Sequence, residues 1–165
     1  MAKDASFDIV SEIDMQEVDN AMNQARREAS TRYDLRQAGC EIDLKKDELT
    51  VTMTAGDSMS LKGLVDVVSG KLIRRGLDAK AFKVGDEEPA AAGAVRRVGR
   101  LIQGIPTETG KEINKLLKQT KMKVTVQIQG DQVRVAGKKK DELQAAISLI
   151  KEQDIDIPLQ FRNFR

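Results

Sequence analysis

The 165-residue sequence has no histidine, no tryptophan, one cysteine, one tyrosine and four phenylalanines. Without imidazole there is no histidine-based triad, no imidazole general base and no His-ligated metal site. A lone Cys40 forms neither an internal disulfide nor the cysteine pairs of a zinc or redox site, and it agrees with a reducing compartment. No run approaches the roughly 18 apolar residues of a membrane helix. The start, MAKDASFDIV, has no apolar h-region, so the expectation is a cytoplasmic protein. Lys, Asp, Glu and Tyr are left for catalysis, but no catalytic motif or metal-carboxylate cluster is evident. The chain is therefore expected not to be an enzyme and to hold neither metal nor cofactor.

With 40% hydrophobic and 33% charged residues, the composition is that of a soluble globular protein, and the length suits one ordinary domain or two small ones. The net charge is +2 and unevenly spread: residues 1–88 hold 13 Lys plus Arg against 18 Asp plus Glu, net −5, and residues 89–165 hold 15 against 8, net +7. The asymmetry suits an anionic partner on the second half, and equally a solvated surface or attraction between the halves. The stretch GDEEPAAAGA, residues 85–94, reads as a linker or a wide bulge between strands. It separates an expected first domain, 1–88, from a second, 89–165.

The same order of elements recurs on both sides. SFDIVSEI is a strand, followed by a helix capped by Asp14 with Val18, Met22, Ala25 and Ala29 along one stripe. CEIDLK and ELTVTMTA alternate as a hairpin. A helix capped at Ser58 or Ser60 then buries Leu61, Leu64, Val68 and Leu72 and stops at Gly76, and DAKAFKVG is a further strand. In the second half GAVRRVGRLIQGI is a strand, Thr109 and Glu112 form a capping box, KVTVQIQGDQVRVAG is a hairpin turning at Gly130-Asp131, and Asp141 caps a last helix. Each half is thus β-α-β-β-α-β, and the expected fold class is α+β: two ferredoxin-like βαββαβ domains, each an antiparallel sheet with helices on one face. The first strand and the connector strand hold matching places in the repeat, which leaves open an exchange of terminal strands between domains.

That fold leaves one sheet face open, and on the second hairpin this face carries Thr125, Gln127, Gln129, Gln132 and Arg134. It is a surface for a base or phosphate, or an ordinary solvated face. Lys138, Lys139 and Lys140 stand just before a helix start, as a phosphate site or a solvated loop. In the closing DIDIPLQFRNFR, strict alternation sends Phe161 inward and Arg162 and Phe164 to the outer face, to pair with phosphate and to stack on a base. The expected nucleotide-binding set is Gln127, Gln129, Arg134, Lys138, Lys139, Lys140, Arg162 and Phe164. No P-loop, GxGxxG, KH or RRM signature is present.

The segments SFDIVSEID, STRYD, GDEEPA with the following VRR and QGI, KVTVQIQGDQVRVAGKKKDELQAAI, and PLQFRNFR resemble the YajQ family of small bacterial proteins over nearly the whole chain. The resemblance implies two ferredoxin-like domains and nucleotide binding, with cyclic di-GMP as ligand and a regulatory role. RNA or ribosome-associated binding stands as the alternative. Tyr33 and Leu35 depart from it, standing where relatives commonly carry phenylalanines. The two functions are an effector that binds cyclic di-GMP and signals through a protein partner, such as a transcription regulator, and an accessory protein for tRNA or rRNA. Few aromatic platforms favour the small ligand, because RNA needs a long basic track and several stacking rings.

Overall fold

In the computed structural model, which describes residues 4–165, local signals decide where the helices begin and end. Helix α1 (Met15–Thr31) starts at Asp14, whose carboxylate accepts from the amides of Gln16 and Glu17. Its predicted stripe of Val18, Met22, Ala25 and Ala29 is buried. Helix α2 (Ser58–Arg74) is capped by Asp57, one residue before the expected serine, and Asp57 accepts from the Ser60 amide at 2.8 Å. Gly76 ends it in the left-handed region, φ 98°. The amides of Gly76 and Leu77 close back on the carbonyls of Ile73 and Leu72.

The caps of the later helices differ from expectation. Helix α3 (Thr107–Gln119) begins at Pro106, and α4 (Lys140–Glu152) begins at Lys139; neither has a side-chain capping bond. The capping box at Thr109 and the cap at Asp141 do not form, because both residues lie inside a helix that starts earlier.

Strands β1 (Ala5–Val10), β7 (Val124–Gln129), β8 (Gln132–Gly137) and β9 (Gln160–Arg162) form one antiparallel sheet in the order β7-β8-β1-β9. Strands β2 (Glu41–Lys45), β3 (Thr50–Ala55), β6 (Val95–Leu101) and β4 (Phe82–Val84) form the other in the order β2-β3-β6-β4, with the short β5 (Glu88–Pro89) on β6. Phe7, Ile9, Val133 and Val135 share a core with residues of α3 and α4, and Val51, Met53 and Ala55 share one with residues of α1 and α2. These are two ferredoxin-like α+β units. Among the described residues no helix is long and apolar enough to cross a membrane.

The units do not divide at residue 88. One comprises Ile13–Ile102, and the other comprises the chain up to Glu12 together with Gln103–Arg165. Strand β6, expected in the second domain, pairs with β3 and β4, and β1, expected in the first, pairs with β8 and β9. The connector is therefore internal to one unit, where a brief 3-10 turn at Ala91–Gly93 returns the chain from β5 to β6. This regrouping also removes the charge asymmetry. Residues 13–102 hold 15 Lys plus Arg against 15 Asp plus Glu, net 0, and the rest hold 13 against 11, net +2.

Candidate functional site

On the sheet face away from α3 and α4, the registers align one residue from each strand. Gln127 pairs with Arg134, Arg134 with Asp8, and Asp8 with Arg162. The row brings together three of the predicted residues and one that the sequence did not single out. Asp8 is 1% exposed. Its carboxylate accepts from Arg134 Nε at 2.9 Å and from Asn163 Nδ2 at 2.8 Å, and Arg165 Nη2 lies 3.9 Å away. The Arg134 bond holds the Asp8 carboxyl below its ordinary range, burial opposes this and the Asn163 bond assists it; the same pairing raises Arg134. Arg134 is thus already neutralised within the fold. Arg162 Nε stands 3.8 Å from the Glu12 carboxylate, and Gln129 donates to Gln127 Oε1 at 3.1 Å. A hydrophilic strand residue such as Asp8 is invisible to pattern reading, since SFDIV looks the same whether its face is wet or paired.

The sign of the pH effect follows from that lowered carboxyl. A group whose folded pKa is depressed contributes its full stability above the unfolded value and loses it as pH falls through the folded one. Acid unfolding of the wild type below about pH 4 should therefore include a component from Asp8. Asp8→Asn should be less stable at neutral pH by about 2 kcal/mol and show a shallower acid limb. Parallel acid limbs in urea titrations of the two proteins would show that Asp8 contributes nothing through its charge.

The tail departs from alternation at one residue. Asp8 pairs with Arg162, yet Ser6 exchanges backbone bonds with Arg165 at 2.9 and 3.3 Å. Two residues of the closing segment, Asn163 and Phe164, therefore stand opposite Phe7, which is a β-bulge. Asn163 takes the left-handed conformation, φ 55°, one that asparagine tolerates better than most residues. The consequence corrects the expected face assignment. Phe164 leaves the face of Arg162 and turns to the helix side, with its ring centroid 6.0 Å from that of buried Phe7. Phe161 also faces inward, edge-on to Phe7 at 5.9 Å, but is only half-buried.

Phe164 is 59% exposed and stands at a cleft of about 250 Å³ lined by Ala5, Ser6, Lys140, Leu143, Gln144 and Arg165. The cleft thus joins two more predicted residues, Lys140 and Phe164, and adds Arg165. Lys138 and Lys139 are exposed in the preceding turn and do not line it. The expected site is therefore two places: Gln127, Gln129, Arg134 and Arg162 lie on the open sheet face, and Lys140 and Phe164 lie at the helix-side rim. A half-exposed ring, the Lys140 side chain and Gln144 around one concavity can stack a planar group and neutralise an anion, while the Arg165 guanidinium lies towards the Asp8 carboxylate. Among the described residues no group of three or more His, Cys, Asp or Glu could hold a metal ion.

Two ferredoxin-like units, with a cleft at Lys140 and Phe164 on one of them, place the molecule among small tandem α+β proteins. Residues 5–165 match the family described as nucleotide-binding protein YajQ-like, and the chain belongs to that family. It is 46% identical over 165 residues to a protein of Desulfitobacterium hafniense, and 48% identical over 165 residues to one of Carboxydothermus hydrogenoformans, with all of each chain covered. A protein of Geotalea daltonii is 49% identical over 160 residues, covering 97% of this chain and 98% of the relative. Each of the three is named a nucleotide-binding protein.

Proposed function

We propose that this chain binds a nucleotide at the Phe164 cleft, that the ligand is cyclic di-GMP, and that the protein is a cytoplasmic, non-catalytic effector acting on a protein partner such as a transcription regulator. The observation that carries this reading is the bulge at Asn163, which turns an exposed ring towards Lys140 in one concavity. The family and its relatives' names support the ligand class. At about 250 Å³ the cleft lies just below the usual range for small-molecule sites. A cleft of that size would take one guanine and its phosphate against Phe164, with the second half of the ligand outside. A tRNA or rRNA partner is disfavoured by the near-zero charge of each unit, since polyanion binding draws on many lysines and arginines.

Calorimetric titration with cyclic di-GMP and GTP tests the reading. Phe164→Ala should weaken binding by about 1–3 kcal/mol and Lys140→Ala by a smaller amount, with little change in melting temperature. Arg162→Ala, on the other sheet face, should leave affinity unchanged. Binding that depends on Arg162 and ignores Phe164 would move the site to the open sheet, and a steep salt dependence seen only with RNA would replace the small ligand altogether.

A further inference from the structure

The unit formed by Ile13–Ile102 has its own cleft of about 220 Å³, lined by Arg26, Ser30, Leu35, Arg36, Cys40 and Ile42 among others. Its two guanidinium groups are held differently from those of Arg32, Arg75 and Arg96 in the same unit, which pair with carboxylates. Arg26 donates from Nε at 3.2 Å and Nη2 at 3.0 Å to the Ile42 carbonyl, and from Nη1 at 3.2 Å to Asn23 Oδ1. Arg36 rests on the ring of Tyr33, its guanidinium carbon 5.1 Å from the centroid. Neither has a carboxylate partner among the described residues. Two positive charges are therefore held by neutral groups at one concavity, where burial, together with the nearby Asp57 and Asp34 carboxylates, pushes the thiol pKa of the lining Cys40 up.

The surroundings suit a ligand with both an anionic and a planar part. Near the C-terminus of α1, Arg27 O accepts from Ser30 Oγ and Thr31 Oγ1, and Glu28 O accepts from the Arg32 amide. The floor is apolar, with Ala29, Leu35 and Ile42. Tyr33, just outside the cleft lining, is 84% exposed and carries the lining Arg36 against its ring, so a stacking surface and a cation stand side by side. A planar guanidinium matches a phosphate with two parallel hydrogen bonds. We infer that this cleft is a second ligand site, for a phosphomonoester on a planar aromatic body such as a mononucleotide, separate from the cleft at Phe164.

The protein carries its own probes for this site. Tyr33 is the single tyrosine, there is no tryptophan, and Cys40 is the single cysteine. Titrating the Phe164→Ala protein with GMP, guanosine and inorganic phosphate while reading tyrosine emission and the rate of thiol labelling isolates this cleft from the other. GMP should change Tyr33 emission and slow labelling of Cys40, with guanosine and phosphate each at least about 10-fold weaker, the loss of one charged hydrogen-bonded contact. Arg36→Ala should weaken GMP about 10-fold or more with an unchanged melting temperature, and Arg36→Lys should recover only part, because an ammonium lacks the fork. Unchanged emission and labelling at millimolar GMP, an Arg36→Ala protein that binds as well as its parent, or guanosine or phosphate binding as tightly as GMP, would each overturn the assignment. Binding of cyclic di-GMP at Phe164 stands or falls independently of these outcomes.

Discussion

Phe7→Ala should destabilise its unit by about 4 kcal/mol and abolish ligand binding at the Phe164 cleft. Phe7 is 0% exposed and is the ring on which both tail aromatics rest, Phe161 edge-on at 5.9 Å and Phe164 tilted at 6.0 Å. Removing it opens a cavity beneath the closing strand and takes away the surface that fixes Phe164. That is a large share of an ordinary domain's stability of about 5–15 kcal/mol, so the binding arm is best read at low temperature. Phe7→Leu supplies the milder control: it keeps the core filled but loses the flat support, and should reduce affinity more than stability. Denaturant titration and calorimetry on both variants check this. A Phe7→Leu protein with full affinity would show that the bulge alone aims Phe164.

A substitution of similar weight in the other unit is Gly99→Ala. Gly99 is buried in β6 between Val51 of β3 and Val84 of β4. A methyl group built there would lie 2.2 and 2.3 Å from two atoms of the Phe82 ring, well inside van der Waals contact. The ring packs over the glycine, so the strand must shift or the ring must leave, at about 2 kcal/mol or more. The same geometry predicts strong non-additivity. Phe82→Ala alone loses ring packing, but in that background Gly99→Ala should cost little, because the clash is gone. A double-mutant cycle by urea denaturation measures it; additive effects would mean that Phe82 swings aside freely in the single variant.

Helix positions and buried stripes were legible in the sequence because they depend on neighbours three and four residues away. The hairpin at Gly130-Asp131 was legible from the alternation of neighbours two apart and the turn residues between the strands. Helix starts were less so: the expected caps at Thr109 and Asp141 lost to Pro106 and Lys139, because tertiary packing can start a helix without a capping bond. The site was partly legible. Lys140 and Phe164 meet at one cleft, but through a route the alternation rule excludes. The carboxylate that neutralises Arg134 comes from residue 8, 126 positions away.

Residue chemistry and short-range pattern by themselves determined the elements, their order, the α+β class and the want of imidazole chemistry and of a cysteine pair. Only the tertiary structure decided which strands share a sheet. Strands β1 and β6 are both central-strand material, and a local pattern holds no information that distinguishes the partners of one from those of the other. That choice rests on long-range pairing and loop closure, and it regrouped the charges from −5 and +7 by sequence halves to 0 and +2 by folded units. The face of Phe164 was settled in the same way. One extra residue opposite Phe7, held by a left-handed Asn163 bonded to Asp8, reverses every face assignment after it, because side-chain direction along a strand has a period of two.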